Sequence, residues 1–171
     1  INLVAARLDP DRLRPYAHEL DYREAQGTAL LSLGGQTLVS ASCWWDPAFG
    51  AGGDHSVIAA VFSDPSGRYY LHRVLYLTDG AGAPGEADDE ATRQCRAVAR
   101  FVDQFHLPAV SLEINGLGRF LPGLLRRELA AARIACAVVE VASRAPKQLR
   151  ILEAFDAVLA AGALHAHRSL W

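Results

Sequence analysis

Residues 38–63 read LVSASCWWDPAFGAGGDHSVIAAVFS, and this stretch decides the fold. Its first part, residues 38–45, is apolar enough for a buried strand, and the run ends at Asp46. A glycine-rich turn over residues 46–56 follows, and residues 57–63 form a second apolar run. Two strands joined by so short a turn are expected to pair antiparallel. The stretch therefore predicts the start of a β-meander, with an acid at the end of its first strand.

Downstream of this stretch, the pattern completes the meander and then alternates helices with strands. DPSG at residues 64–67 is a tight-turn signal. A helix between two strands gives parallel neighbours through a right-handed crossover. We therefore expect an α/β fold of order βββαβαβα, with one five-stranded mixed sheet and helices on both faces. The remaining predicted elements are a strand at 68–77, a helix at 90–106, a strand at 109–114, a helix at 120–134, a strand at 135–142 and a helix at 146–161.

Length and composition are typical of one domain. The chain has 171 residues, of which 51% are hydrophobic and 21% charged, so it can form a core without disulfides. The net charge of −2 gives no global attraction to nucleic acid, but it allows a local basic face. No apolar run is long enough to cross a membrane. We expect residues 1–36 to be a lead-in segment and residues 37–171 to be the domain, and we interpret the chain, which contains no Met, as a fragment of a longer protein.

Two acids stand where apolar strands end. Asp46 follows the first strand directly, and Glu113 lies near the end of AVSLEI, the fourth strand. In a sheet of this order, the first and fourth strands can be central parallel neighbours, and their ends would bring Asp46 and Glu113 together. Two carboxylates about 4 Å apart repel by roughly 4 kcal/mol at an effective dielectric near 20, and a divalent cation reverses that repulsion. Oxygen ligands favour Mg²⁺ or Mn²⁺ over zinc. An Asp before Pro is also a common turn opener, so Asp46 has a structural interpretation as well.

A basic group stands at the start of the last predicted helix. Lys147 and Arg150 are one turn apart and share a face, where they could bind a DNA phosphate with help from the helix N-terminus. Arg119, Arg144, Arg126 and Arg127 extend this set, although a solvated helix face is the simpler interpretation of Arg126 and Arg127. Phosphate contacts of this kind predict DNA binding that weakens with salt and depends little on sequence.

Three motifs in this order resemble the nuclease domain of the large terminase subunit of tailed bacteriophages, which has a ribonuclease-H-like fold. They are DPAFGAGGDHS, SLEINGLG and RAPKQLRILEAFDAVLAAGAL, and the resemblance runs from about residue 28 to the end. The family has an Asp at the end of the first strand and a second Asp in the glycine-rich turn, here Asp46 and Asp54. It then has an acid followed by Asn and Gly at the fourth strand, and a helix start with Lys and Arg, here Glu113, Asn115, Gly118, Lys147 and Arg150.

The resemblance implies a metal-dependent endonuclease that cuts concatemeric double-stranded viral DNA with two Mg²⁺ or Mn²⁺ ions. Asp46 would bridge both ions, Glu113 would hold one, and Asp54 would hold an outer water or fix the turn. The family's third acid belongs to an Asp-Asp pair that heads a final helix. Here Asp156 is the only Asp in that region, so the third ligand is Asp156 or a residue beyond Trp171.

The same resemblance implies partners and a location. The ATPase domain of the full-length chain, a small terminase subunit and a portal protein would be partners, together with double-stranded DNA and no membrane. The expected location is the cytoplasm of an infected bacterial host. The sequence contains no GxxxxGK[ST] motif, so it would represent the nuclease half alone.

Other interpretations of the sequence stay open. Another ribonuclease-H-like nuclease, such as a Holliday-junction resolvase or a transposase core, would place carboxylates at the same strand ends, although the glycine-rich turn with its second Asp favours a terminase. A sugar-kinase or actin-like ATPase half begins with a similar strand, but it needs a second domain that this length does not provide. A non-catalytic domain that docks on a packaging component would fit the loss of the third acid.

Overall fold

The computed structural model describes residues 9–50, 55–77, 89–114, 119–142 and 147–171, and for Lys147 and Gln148 it describes the backbone alone. The helices within these ranges are α1 (Glu90–Gln104), α2 (Leu121–Ala131) and α3 (Lys147–Ala160), with 3₁₀ turns at Pro10–Arg12 and Arg168–Leu170. None of the described helices is both long and apolar enough to span a membrane. The strands are β1 (Arg14–Tyr16), β2 (Leu20–Ala25), β3 (Thr28–Leu33), β4 (Gln36–Thr37), β5 (Ser40–Asp46), β6 (Ser56–Ser63), β7 (Tyr69–Leu77), β8 (Ala109–Glu113), β9 (Ala137–Val141) and β10 (Leu164–His167).

Seven of these strands form one sheet, in the order β1-β10-β7-β6-β5-β8-β9. The connections between β5, β6 and β7 are too short for a parallel crossover, so these neighbours run antiparallel, as a meander requires. β8 is parallel to β5, and β9 is parallel to β8. The helices α1 and α2 lie in the connections that lead into β8 and β9. The predicted adjacency of the first and fourth strands is therefore confirmed.

The sheet is wider than the five strands predicted from the sequence. β10 is parallel to β7 and β1 is parallel to β10, so both extend the sheet beyond β7. The alternation of His165 and His167 does predict a strand at β10, whereas β1 has only three residues. Both strands pair with partners far away in the chain, so local periodicity does not show that they belong to this sheet. β1 lies within residues 1–36, and the proposed boundary at residue 36 stays a prediction.

A second, three-stranded antiparallel sheet consists of β2, β3 and β4. Two-residue turns at Gln26-Gly27 and Gly34-Gly35 join its strands, and all four residues have φ angles between 52° and 83°. Positive φ at both central residues is the backbone that two-residue hairpins favour, which explains the glycines. All but one of the side chains of β2 are exposed, so this segment lacks the apolar face by which a strand is recognised in a sequence.

The chain divides into two compact units. The first unit comprises residues 1–41, 61–73 and 143–171, and the second unit comprises residues 42–60 and 74–142. Buried side chains of the first unit include Leu33, Phe62, Tyr70, Leu159 and Leu164. Those of the second unit include Trp45, Ile58, Val110, Leu112, Leu121 and Leu125.

Helix α1 supplies one wall of the second unit's core. Its side chains Cys95, Val98, Ala99 and Val102 are at most 3% exposed, and their spacing places them on one face of the helix. The helix begins at Asp89, whose carboxylate accepts a hydrogen bond from the backbone N–H of Thr92, at 2.8 Å. The helix predicted at residues 90–106 is therefore confirmed, with Gln104 as its last residue.

The first unit contains a buried polar cluster formed by β1, β10 and β7. The rings of Tyr16, His72 and His167 contact one another, with centroids 5.2 to 6.0 Å apart. Burial lowers the pKa of His72 to about 4, and the nearby positive charge of Arg73 acts in the same direction. Burial also lowers the pKa of His167. Both imidazoles are therefore neutral at pH 7.

Candidate functional site

Asp46 and Glu113 are the last residues of β5 and β8. The two strands are parallel, with Trp44 opposite Ser111 and Trp45 opposite Leu112. Continuing this register by one residue sets Asp46 opposite Glu113. Because neighbouring strands lie about 4.8 Å apart, this register implies that the two acids are neighbours at the carboxyl ends of β5 and β8.

Strand alternation also places the two acids on the same face of the sheet. Trp45 and Leu112, one residue earlier, are fully buried. Side chains alternate along a strand, so Asp46 and Glu113 lie on the opposite face, together with Trp44 and Ser111. Both acids are half-buried. The arrangement offers two partly shielded carboxylates at one accessible edge.

A buried hydrogen bond fixes the end of β5. The indole N–H of Trp45 donates to the hydroxyl of Ser56, in β6, at 3.0 Å. Trp45 is fully buried and Ser56 is 2% exposed. Because water cannot reach either side chain, the hydrogen bond between them satisfies the buried indole N–H. Asp46 is the next residue, and its backbone position is therefore set by the core of the second unit.

The turn that follows Asp46 is held on the first turns of α1. The side-chain amide of Gln94 donates to the carbonyl of Ala48, at 2.9 Å, and to the carboxylate of Glu90, at 3.0 Å. The N–H of Gly50 donates to the same Glu90 carboxylate, at 3.4 Å. Gly50 has a φ of 92°, a conformation that favours glycine. These contacts fix where the chain leaves the edge of the sheet.

Two exposed phenylalanines lie beyond the ends of the same two strands. Phe49 follows Asp46 by three residues, and Phe120 precedes α2 in the segment after β8. Their ring centroids are 6.4 Å apart, and the residues are 40% and 54% exposed. The sequence analysis missed this pair, because Phe120 reads as the first residue of an apolar helix. The one sequence feature that sets Phe120 apart from a buried helical residue is the charged residue directly before it, Arg119.

The structure describes only some of the other predicted site residues. Asp54 and Arg144 lie outside the described residues, as does the side chain of Lys147. Asp156 and Arg150 are half-buried on α3, in the first unit. Within the described ranges, no three His, Cys, Asp or Glu side chains are grouped as a metal site would require. A third metal ligand therefore stays a prediction.

Two of the predicted arginines have different surroundings in the second unit. Arg126 pairs with Glu140 at 2.8 Å and donates to the carbonyl of Val138 at 3.1 Å, so its charge is engaged against β9. Arg119 is exposed just before α2, and no ion pair joins it to another described residue. Arg119 is therefore more available than Arg126 to bind a phosphate.

The chemistry of the donors fits a hard divalent cation. Mg²⁺ is commonly held by one or two carboxylates, with water and substrate phosphates completing its shell, and Asp46 and Glu113 supply such a pair. Burial raises the pKa of both Cys43 and Cys95 to about 12, so these thiols stay protonated and do not act as thiolate ligands. The edge therefore favours Mg²⁺ or Mn²⁺ over a softer metal.

Solved structures identify the fold. The human cytomegalovirus terminase nuclease domain, Mn-soaked, is similar with a TM-score of 0.53 and 11% identity, over 75% of this chain and 64% of that chain. This chain has a ribonuclease-H-like fold. The same cytomegalovirus domain, Mn-soaked and inhibitor-bound, gives a TM-score of 0.50 and 13% identity, over 77% and 63% of the two chains. The yeast mitochondrial Holliday junction resolvase gives a TM-score of 0.41 and 11% identity, over 74% and 65%.

These similarities concern the fold. The ribonuclease-H-like chain spans less than two thirds of the length of each of these neighbours. The predicted likeness to a terminase nuclease domain is confirmed at the level of the fold, with a solved neighbour from human cytomegalovirus. No known family pattern matches the sequence. No curated protein matches it either.

Proposed function

We propose that this chain is the nuclease part of a phage-type DNA-packaging terminase, a divalent-metal-dependent endonuclease that cuts double-stranded DNA. The register that sets Asp46 opposite Glu113 at the ends of β5 and β8 carries the proposal. The fold similarity to a terminase nuclease domain in Mn-soaked crystals supports it by analogy.

In this proposal Asp46 and Glu113 would hold the metal ions. Bound Mg²⁺ or Mn²⁺ would lower the pKa of a water molecule and offset the charge of the scissile phosphate. The strand ends keep the two carboxylates in place, because Trp45 and Leu112 anchor them in the core. Arg119 would donate hydrogen bonds to a phosphate oxygen of the substrate.

The remaining predicted residues have proposed roles as well. Asp54 would hold an outer water or fix the turn, and Asp156, or an acid beyond Trp171, would complete the metal shell. Lys147, Arg150 and Arg144 would bind phosphates farther along the DNA, with binding that weakens as salt increases. The ATPase domain of the full-length chain, the small terminase subunit and the portal are the proposed partners, in the cytoplasm of an infected bacterium.

A plasmid-cutting assay tests this function. Supercoiled plasmid is incubated with the chain in Mn²⁺, Mg²⁺ or EDTA, and nicked and linear products are measured on a gel. We expect cutting with either metal, none in EDTA, and a loss of at least about 100-fold in Asp46→Asn and Glu113→Gln, since both remove metal-holding charge. Asp103→Asn, which changes an exposed acid of α1 in the same unit, is the matched control and should cut normally.

The other outcomes of this assay separate the alternatives. Cutting that strongly prefers four-way junctions over plasmid would favour a resolvase. Cutting that persists in EDTA or in both acid variants would contradict the proposed site. Absence of cutting in a folded chain that does not bind metal would favour a non-catalytic docking domain.

A further inference from the structure

We propose that Phe49, Phe120 and Arg119 form a surface that binds an unpaired nucleic-acid strand next to the carboxylate pair. This inference rests on the proposed nuclease function and adds a surface beside the site that contacts an unpaired strand. The three residues are called the aromatic surface below. All of them belong to the second unit, as do Asp46 and Glu113.

The aromatic surface lies close to the two acids because of the chain connections. Three residues span at most about 11 Å, so Phe49 cannot lie far from Asp46. The ring of Phe120 contacts the ring of Phe49, which brings the segment after β8 to the same place. A strand of nucleic acid that reaches the carboxylates would therefore pass beside both rings.

Both rings are carried by a fixed backbone, which suits a binding surface. Phe49 lies between Ala48 and Gly50, which are hydrogen-bonded to side chains of α1. Phe120 directly precedes Leu121, which is fully buried at the start of α2. Two apolar rings thus stay 40% and 54% exposed although their neighbours are anchored. Rings held in this way lose little conformational entropy when a ligand stacks on them.

The chemistry of the aromatic surface selects among possible ligands. Aromatic rings stack on nucleic-acid bases, and each such contact is worth about 1–3 kcal/mol by alanine substitution. Bases inside an intact duplex are covered by their neighbours, so only an unpaired or unstacked base can use the rings. Arg119 adds a positive charge beside Phe120, which matches a phosphate backbone. A purely apolar protein segment would match the rings but not this charge.

A binding experiment without metal tests the inference independently of cutting. Fluorescence anisotropy in EDTA measures the affinity for a labelled oligo-dT strand and for a blunt duplex. We expect the chain to bind the single strand more tightly than the duplex, and Phe49→Ala and Phe120→Ala each to weaken single-strand binding by about fivefold or more. Duplex binding should change by less than about twofold. Equal binding of strand and duplex by the unmodified chain would overturn the proposal.

Matched variants control for folding and for general hydrophobicity. Phe49→Leu and Phe120→Leu keep an apolar side chain without an aromatic ring, and they should also lose affinity for the single strand. Tyr76→Ala changes an exposed aromatic on β7, which β6 separates from β5, and it should bind both forms as the unmodified chain does. Single-strand affinity retained in the leucine and alanine variants would contradict the inference.

The same variants keep this inference distinct from the proposed function. Asp46→Asn should still bind the single strand in EDTA, and it should fail to cut plasmid with metal. If the phenylalanine variants bind normally while Asp46→Asn abolishes cutting, the proposed role of the aromatic surface is wrong and the proposed role of Asp46 is supported. If the phenylalanine variants lose binding while Asp46→Asn still cuts, the proposed role of Asp46 is wrong and the proposed role of the aromatic surface is supported.

Discussion

The hydroxyl of Tyr16 and Nδ1 of His72 are hydrogen-bonded at 2.8 Å inside the first unit. His167 contacts both rings edge-on, and it lies directly opposite Tyr16 in the pairing of β10 with β1. Burial raises the pKa of Tyr16, so its hydroxyl stays protonated together with two neutral imidazoles. The two short strand pairings on this side of the sheet, β1 with β10 and β10 with β7, therefore surround a cluster whose charge state changes with pH.

Acidification should destabilise the chain through His72. Its pKa is about 4 in the folded chain, below its ordinary value of 6.5, because of burial, Arg73 and His167, with Glu19 opposing them. The unfolded chain takes up the proton more readily, so stability is complete above about pH 6.5 and is lost as the pH falls towards 4. We expect the free energy of unfolding to fall by about 1–2 kcal/mol between pH 7.5 and pH 5.

Urea unfolding at the two pH values measures this effect. His72→Gln should show a smaller loss between them, whereas His55→Gln, at an exposed position, should keep the loss of the unmodified chain. The same free energy at both pH values in the unmodified chain would contradict a buried, neutral His72.

Asp64 should stabilise the hairpin between β6 and β7. Its carboxylate accepts hydrogen bonds from the backbone N–H and hydroxyl of Ser66, the N–H of Arg68 and the hydroxyl of Tyr70, at 2.6 to 3.1 Å. Burial raises the pKa of Asp64, but these bonds outweigh it and lower the pKa to about 2. This stabilisation is present above the pKa of the unfolded chain, near 4, and is lost as the pH falls towards 2.

Replacing this carboxylate tests its contribution. Asp64→Ala should lower the free energy of unfolding by about 2–3 kcal/mol at pH 7, because it leaves buried donors without an acceptor. Asp103→Ala, on the exposed side of α1, should change it by less than about 0.5 kcal/mol. Equal effects of the two substitutions, in denaturant melts, would show that the hairpin does not depend on Asp64.

The hydrogen bond between Trp45 and Ser56 should contribute to the stability of the second unit. Ser56→Ala leaves a fully buried indole N–H without an acceptor, so we expect a loss of about 1–2 kcal/mol. In Trp45→Phe the donor is absent, and adding Ser56→Ala there should cost less than it does in the unmodified chain. Ser42→Ala, at an exposed serine of β5 in the same unit, is the control. Additive losses in the double mutant would argue against the bond.

Gln94 should act as a positioning residue for Phe49. Gln94→Leu removes the donor to the Ala48 carbonyl while keeping an apolar stem in the core. If this bond fixes the turn, single-strand binding should weaken by about threefold or more, in the same direction as in Phe49→Ala. Gln104→Leu, at the exposed end of α1, should bind normally. Normal single-strand binding by Gln94→Leu would show that the turn keeps its place without this bond.

The sequence predicted the central strands and their acidic ends because the signals there are local. Apolar runs bounded by turn residues mark β5 to β8, and the alternation of strands with helices implies parallel neighbours. The prediction that Asp46 and Glu113 meet follows from that order alone. The pairing of β5 with β8 agrees with it.

The features that the sequence did not reveal depend on distant pairing. β1 is too short to show a pattern, and β2 is mostly exposed. The place of β10 beside β7 depends on a pairing that local periodicity does not show. Gly34-Gly35 lies within the predicted lead-in segment, yet it forms the two-residue turn that joins β3 to β4. The contact between Phe49 and Phe120 joins residues that only the completed fold brings together.

The proposed nuclease function requires that Asp46 and Glu113 bind a metal ion between them. Anomalous diffraction from crystals of the chain soaked in Mn²⁺ tests this directly. We predict an anomalous peak with carboxylate oxygens of both residues about 2.1 Å from it, and no such peak in crystals of Asp46→Asn. Absence of manganese at this pair in the unmodified chain, or a peak that persists in the variant, would contradict the account.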